Sequence, residues 1–430
     1  MKRVLIVSPY FPPSTLAGVH RARILSKHLP AGGWEPIVFC VDHRYHEQRL
    51  DNDLAALVPG ETRVIKVPAW PTKLSRAVGI GDLGIRGFAG LRRAVHSFLD
   101  REGADLLFVT ALPGFPLLIG PEVKRRFRIP FIADYQDPWL PRDFELVPAF
   151  TKMWTQNRIA LVAEPYVLRR ADHVTSVSEG TNQLIRSRYP WMPAERFSAV
   201  PIGGDAADFE YLRSRERPCP WIRTAPNRIT ISYIGNIWPQ AHRTLEALFA
   251  AVARLKTERP QLYERLRLIF VGSSNQPVAS KAEVVMPFAR RAGIAEIVHE
   301  EPERVPYLDA LNIMVRSDIL LMLGSDEPHY TASKFYPSLL AERPVLSLFH
   351  EQSSLCSIAE TVGGVKLVKF GDATPVTSKI EEIAEAMVAM AEGRAAIRRV
   401  DRSKLEPYLG PAIARRFADI FDHVLDMIPK

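Results

Sequence analysis

Ile229-Thr230-Ile231-Ser232-Tyr233-Ile234-Gly235-Asn236 is the stretch on which the fold turns. It carries Ile229, Ile231, Tyr233 and Ile234 with only small polar residues between them, is rich in β-branched residues and is closed by a glycine, which predicts a buried strand. Just before it, residues 211–228 are crowded with Pro and Arg and carry no core period, so an interdomain linker is expected there. After it the signals alternate: a helix over Thr244–Lys256, a strand over Leu266–Gly272, a helix over Ala282–Ala292, a strand over Asp318–Leu323, a helix over Ser333–Ala341 and a strand over Val345–Leu348. Apolar strands spaced by helices imply a parallel sheet covered on both sides.

The same alternation runs upstream. Val4–Val7, Pro36–Cys40, Asp105–Thr110, Phe131–Asp134 and His173–Val177 read as strands, Gly18–Leu29 as a helix, and Phe150–Arg170 as one long helix kinked or broken at Pro165. A chain of 430 residues exceeds a single core, which stops growing near about 250–300 residues. The expected architecture is therefore α/β, with two Rossmann-like doubly wound parallel-sheet domains. They should occupy residues 1–210 and 229–408 on either side of the 211–228 linker. Residues 409–430 should form a closing amphipathic helix, with Ile413, Phe417, Ile420, Phe421 and Val424 at helical spacing, that packs back toward the first domain.

Composition narrows the class. Apolar residues make up 47% and charged residues 24%, which excludes a disordered or fibrous chain. No apolar run approaches the roughly 18–20 residues of a membrane span, and Val4–Val7 ends at Ser8-Pro9, too short for an export signal. Cys40, Cys219 and Cys356 are distant and odd in number, as in a reducing compartment, so a cytoplasmic protein is expected. The net charge of +8 is uneven: residues 1–205 hold 27 Lys and Arg against 20 Asp and Glu, the remainder 29 against 28. Such an excess suits an anionic membrane surface or a plain solvated face, and no nucleic acid is expected as a partner. Leu83–Leu99, where Arg86, Arg92 and Arg93 interleave with apolar residues, is the expected peripheral contact with the inner face of a membrane.

In open α/β sheets the chemistry lies in loops beyond the carboxyl ends of the strands. The loop Ser8–Arg21 lacks a dinucleotide fingerprint; the lone GxGxxG, Gly79–Gly84, follows no strand; and GxxxxGK[ST], HExxH and GxSxG are absent from the sequence. Asp134 and Asp137 sit three apart in Ala133-Asp134-Tyr135-Gln136-Asp137-Pro138-Trp139, where either could orient a proton or simply form a turn. Gly235-Asn236 and Gly272-Ser273 end strands where a ligand can approach the backbone, and Arg243 opens the next helix. Thr331, Ser333 and Lys334 are expected to meet an anion at a helix start, with Tyr336 just beyond, the lesser alternative being that Lys334 faces solvent.

In this order the pieces resemble the glycosyltransferase family 4-like group, the group 1 glycosyl transferases of GT-B fold. The resemblance rests on Tyr10-Phe11-Pro12-Pro13 with Gly18 and Arg21, Gly33-Trp34-Glu35-Pro36, Ala133–Trp139, Ala171–Ser178 and Pro201-Ile202-Gly203-Gly204-Asp205. It continues through Tyr233–Asn236, Phe270-Val271-Gly272, Ser333–Tyr336 and Arg343-Pro344-Val345. It implies two domains facing a central cleft, and a retaining, nucleotide-sugar-dependent glycosyltransferase that needs no metal or other cofactor. A nucleoside diphosphate sugar would be held by Gly235, Asn236, Arg243, Gly272, Ser273, Thr331, Ser333, Lys334 and Tyr336. A glycan or lipid-linked acceptor, as in surface polysaccharide biosynthesis, would lie near Gly18, His20 and Arg21, with Asp134 and Asp137 as the catalytic carboxylates. One departure is marked: many members carry two glutamates with seven residues between them, and those positions here hold His329 and Pro337. The alternative it implies is a catalytically lapsed nucleotide-sugar-binding or scaffolding protein of the same fold.

Overall fold

The structure, a computed structural model, describes residues 1–77, 80–222, 225, 227–274, 282–328 and 331–427. The chain divides into two compact units, one formed by Met1–Ile202 with Gly410–Lys430 and the other by Gly203–Leu409. Gly79 of the GxGxxG stretch, part of the 211–228 segment and His329 lie outside the described residues.

The first unit is a seven-stranded sheet, all parallel, in the order β3-β2-β1-β4-β5-β6-β7. Its strands are β1 (Lys2–Val7), β2 (Trp34–Val41), β3 (Arg63–Val67), β4 (Leu106–Thr110), β5 (Phe131–Tyr135), β6 (His173–Ser176) and β7 (Phe197–Ala199). The central strands are apolar on both faces because helices cover both: Leu5, Val7 and Leu107 face one core, Val4, Ile6 and Phe108 the other. The last helix, Gly410–Asp426, belongs to this unit and closes the second of those cores. Phe421 meets Trp34 edge to face at 5.2 Å, and Phe417 meets Phe108 at 5.4 Å.

The second unit is a six-stranded parallel sheet in the order β10-β9-β8-β11-β12-β13. Its strands are β8 (Ile229–Ile234), β9 (Leu266–Val271), β10 (Val298–Glu301), β11 (Ile319–Leu323), β12 (Val345–His350) and β13 (Val365–Phe370). Both units are doubly wound sheets. In each, strand order reverses beside the first strand, at β1/β4 and at β8/β11, and crevices for ligands open at such switch points.

Two expectations change. The helix Lys152–Leu168 runs unbroken through Pro165. The helix Leu83–Arg101 turns most of its large apolar residues inward: Leu83, Leu91, Val95, Phe98 and Leu99 are buried in the core. Two of the three interleaved basic residues are engaged, Arg86 with the carbonyls of Tyr45 and Trp70 and with Glu47, and Arg92 with Glu122 at 2.6 Å, while Arg93 is exposed. Amphipathic spacing alone could not tell a core-facing stripe from a lipid-facing one.

Candidate functional site

In the first unit, the β1 loop reaches the helix Val19–His28 through Gly18, where a Cβ would come within 2.5 Å of Leu112 Cδ2. Gln136, just past β5, ties this loop down, its amide donating to the Gly18 carbonyl at 3.0 Å and to Thr110 Oγ1 at 2.9 Å. His20 is partly buried, with Nδ1 3.5 Å from the Arg23 guanidinium.

Arg21 and Asp134 prove to be partners of each other. Arg21 Nε donates to Asp134 Oδ2 at 3.3 Å, and its two terminal nitrogens donate to the carbonyls of Pro201 at 2.9 Å and Val200 at 2.6 Å. The guanidinium lies over the Phe417 ring at 4.8 Å. The other Asp134 oxygen accepts from Thr175 Oγ1 at 2.7 Å. Burial pushes the Asp134 carboxyl up, while Arg21 and Thr175 pull it back down. Both side chains are engaged and shielded from solvent, so as placed they fix the end of β5 and reach no substrate. Asp137 is different: its side chain is exposed, and the protein crowding the loop pushes its carboxyl up. A carboxyl at this strand end that solvent can reach is open to an incoming hydroxyl.

In the second unit, the loops after β8 and β9 are stitched together. Gly235 N donates to the Val271 carbonyl and Ile237 N to that of Ser273, both at 2.9 Å. Gly272 has φ +72, a conformation that favours glycine, and the space a Cβ would enter is bounded by Arg304. Asn236 is partly buried, its carbonyl accepting from Tyr233 Oη at 3.0 Å. Ser273 is committed elsewhere: its hydroxyl donates to Glu300, whose carboxylate also receives the amides of Val284 and Met286 at 2.9 Å.

Lys334 immediately precedes the short helix Phe335–Leu340, which begins two residues later than the sequence suggests. Thr331, Ser333 and Lys334 are all partly buried. Burial, and then the positive charge of Arg304, bring the Lys334 ammonium down to about 8. Burial likewise lowers Arg304. Two cations near a positive-φ glycine at strand carboxyl ends concentrate positive charge where backbone approach is open, the chemistry that suits a diphosphate. Arg304 goes unnoticed in the sequence because it follows Glu300, Glu301 and Glu303, and only its position just beyond a strand end marks it.

The remaining candidates stand apart from this cluster. Arg243 is 74% exposed and 3.8 Å from Asp326, at the mouth of a separate cavity of about 300 Å³ lined also by His350, Asp372 and Thr377. Tyr336 is buried and stacked on Tyr408 at 5.5 Å, so its ring packs the interior. Pro337 lies in the first turn of its helix, where a missing N–H costs nothing, and brings no carboxylate.

Residues 18–203 match the family model of the Glycosyl transferase 4-like domain. The whole chain has the GT-B fold of solved structures that it resembles distantly in sequence. Anabaena HepE in complex with UDP and glucose superposes with a TM-score of 0.63 at 15% identity, over 98% of this chain and 100% of that one. The S. aureus MnaA–UDP structure gives 0.53 at 14% identity, over 100% and 98%. Trehalose-6-phosphate synthase OtsA gives 0.61 at 12% identity, over all of both chains. No curated protein sequence matches the chain significantly.

Proposed function

We propose that the protein is a retaining glycosyltransferase that takes a sugar from a nucleoside diphosphate sugar to a glycan or lipid-linked acceptor in surface polysaccharide assembly. The observation that carries the reading is the Gly272, Arg304 and Lys334 cluster at the carboxyl edge of the second sheet. The family match in the first unit supports a transferase, and HepE and MnaA, each solved with UDP, make a UDP-sugar the first donor to try.

On this reading the second unit grips the donor. Lys334 and Arg304 meet the diphosphate and stabilise the charge that grows on it as the sugar departs, the task a metal ion performs in other transferases. Gly235 and Gly272 let the phosphates and ribose approach the main chain, and Asn236, Thr331 and Ser333 offer hydrogen bonds beside them. The first unit meets the acceptor. Gly18 and His20 frame its loop, Asp137 orients the acceptor hydroxyl, and the Arg21–Asp134 pair holds that loop in place. The protein then works in the cytoplasm, at the inner face of the membrane when its acceptor is anchored there.

Titration calorimetry with UDP, GDP and dTDP, and with their sugars, tests the reading, with donor turnover followed by mass spectrometry. Binding of one nucleoside diphosphate that Lys334→Ala weakens, with turnover unaffected by EDTA, supports it. The absence of binding by all three overturns it. Pro337 in a position where relatives keep a glutamate favours a second reading, a lapsed nucleotide-sugar binder, which requires binding without turnover across an acceptor panel.

A further inference from the structure

The helix Lys152–Leu168 is apolar on both of its faces. Ala160, Ala163, Val167 and Leu168 are buried, the last two in a core of the first sheet. On the opposite side Val162 is 76% exposed and Ile159 and Tyr166 nearly half as much, with Met153 in the first turn. The loop leading in adds Leu146 and Phe150, and Trp191 lies beside the far end. Among the described residues, seven of the thirteen exposed large apolar side chains are on this one patch, so it is not the scatter that any surface shows. A surface helix ordinarily turns a polar stripe to water.

Phe150 adds an independent sign. It has φ +65, a conformation that bulky residues avoid, and that backbone presents a ring that is 90% exposed. The ring leans on Trp154 at 5.4 Å. A strained residue whose side chain gains no burial points to something that covers it.

The charges on the patch say what kind of surface that is. Arg158 lies over Trp154 at 5.0 Å, Arg169 over Trp191 at 4.8 Å and Arg170 over Tyr166 at 4.0 Å. No carboxylate among the described residues pairs with any of these three. Glu164, the helix's one acidic residue, is buried and accepts from Tyr189 Oη at 2.8 Å. The loop between β5 and this helix carries three exposed acids, Asp137 near the strand end and Asp143 and Glu145 nearer the patch, and none of them pairs with these arginines. Aromatic rings and aliphatic side chains interleaved with arginines fit the boundary of a bilayer, where rings settle at headgroup depth and cations meet lipid phosphates. A second copy of the chain fits less well, because a twofold contact would set like charges against each other.

We propose that the outer face of helix Lys152–Leu168, with Leu146, Phe150 and Trp191, docks the protein on an anionic bilayer. This deepens the lipid-linked half of the acceptor reading, but it is measured without donor, so the two can fail separately. The full chain is sedimented with phosphatidylcholine vesicles with and without phosphatidylglycerol. Wild type should bind the anionic vesicles and release in high salt. Phe150→Glu with Val162→Glu, and Arg158→Glu with Arg169→Glu, should each lower partitioning at least about tenfold. Their circular dichroism should be unchanged, and Leu74→Glu, an exposed apolar site elsewhere on the unit, should bind as wild type does. Absence of wild-type binding, equal binding by the double variants, or equal loss in Leu74→Glu overturns the proposal. A dimer by light scattering that Val162→Glu dissociates, with no lipid binding, overturns it in favour of a second copy.

Discussion

Arg21 Nε stands 3.3 Å from Asp134 Oδ2 in a site where the arginine is 1% exposed and the aspartate wholly buried. Removing one member of a buried pair strands the other's charge, which costs more than the pair contributes when intact. Arg21→Met should therefore destabilise the first unit by about 3–5 kcal/mol. Thermal unfolding of the variant, alone and combined with Asp134→Leu, checks this: the double variant should recover part of the loss. A single variant as stable as wild type would show that Arg21 is not anchored there.

If Lys334 grips the donor as proposed, it should set a pH limit on anion binding. Its ordinary value near 10.5 falls to about 8, so the free site loses its ammonium as the pH rises through 8. UDP affinity should decline from about pH 7 to about pH 9.5 in wild type and hardly change in Lys334→Ala. The variant should bind more weakly by about 1–3 kcal/mol at neutral pH if a charge-assisted bond is lost. Calorimetric titration across that range reads both effects.

His173 makes the first unit acid-sensitive. Burial, then the charges of His423 and Arg196, lower its imidazole from 6.5 to about 4, and its Nε2 is 2.9 Å from Ser198 Oγ. The unfolded chain takes up the proton first, so the contribution is intact above pH 6.5 and is lost as the pH falls toward 4. The most that this one group can remove is about 3 kcal/mol. Urea unfolding between those pH values should show a smaller acid loss in His173→Gln than in wild type.

Glu300 should be worth more to the second unit than a surface carboxylate. It gathers the amides of Val284, Val285 and Met286 and the hydroxyl of Ser273. Glu300→Ala should lower stability by about 1.5–3 kcal/mol, the range for bonds to a charged acceptor. Ser273→Ala should lower it by less, since the amides keep their partner. Equal urea midpoints for wild type and Glu300→Ala would reject this.

Both sheets were legible in the sequence at their centres and illegible at their rims. The apolar runs over Val4–Val7, Phe131–Asp134, Ile229–Gly235 and Leu266–Gly272 all correspond to strands with neighbours on both sides. The four strands without a sequence signal, Arg63–Val67, Phe197–Ala199, Val298–Glu301 and Val365–Phe370, are the four edges. An edge strand is half wet and carries residues such as Lys66, His299, Lys366 and Lys369, so its pattern dissolves into that of a loop. The site was blurred for a related reason. A carboxylate at a strand's carboxyl end looks the same whether it is open to solvent, as Asp137 is, or is answered by an arginine 113 positions away, as Asp134 is. Spacing reports local neighbours; only the folded chain brings Arg21 and Thr175 to one aspartate.

The last helix of the chain completes the first sheet, and that inverts the order in which the protein can be finished on the ribosome. The second unit has all of its sequence once residue 409 has emerged, while Trp34 and Phe108, made long before, wait for Phe417 and Phe421 to cover them. A premature stop near the end should thus injure the beginning. In a chain halted after Leu409, brief protease treatment should cut within residues 1–202 and spare residues 203–409.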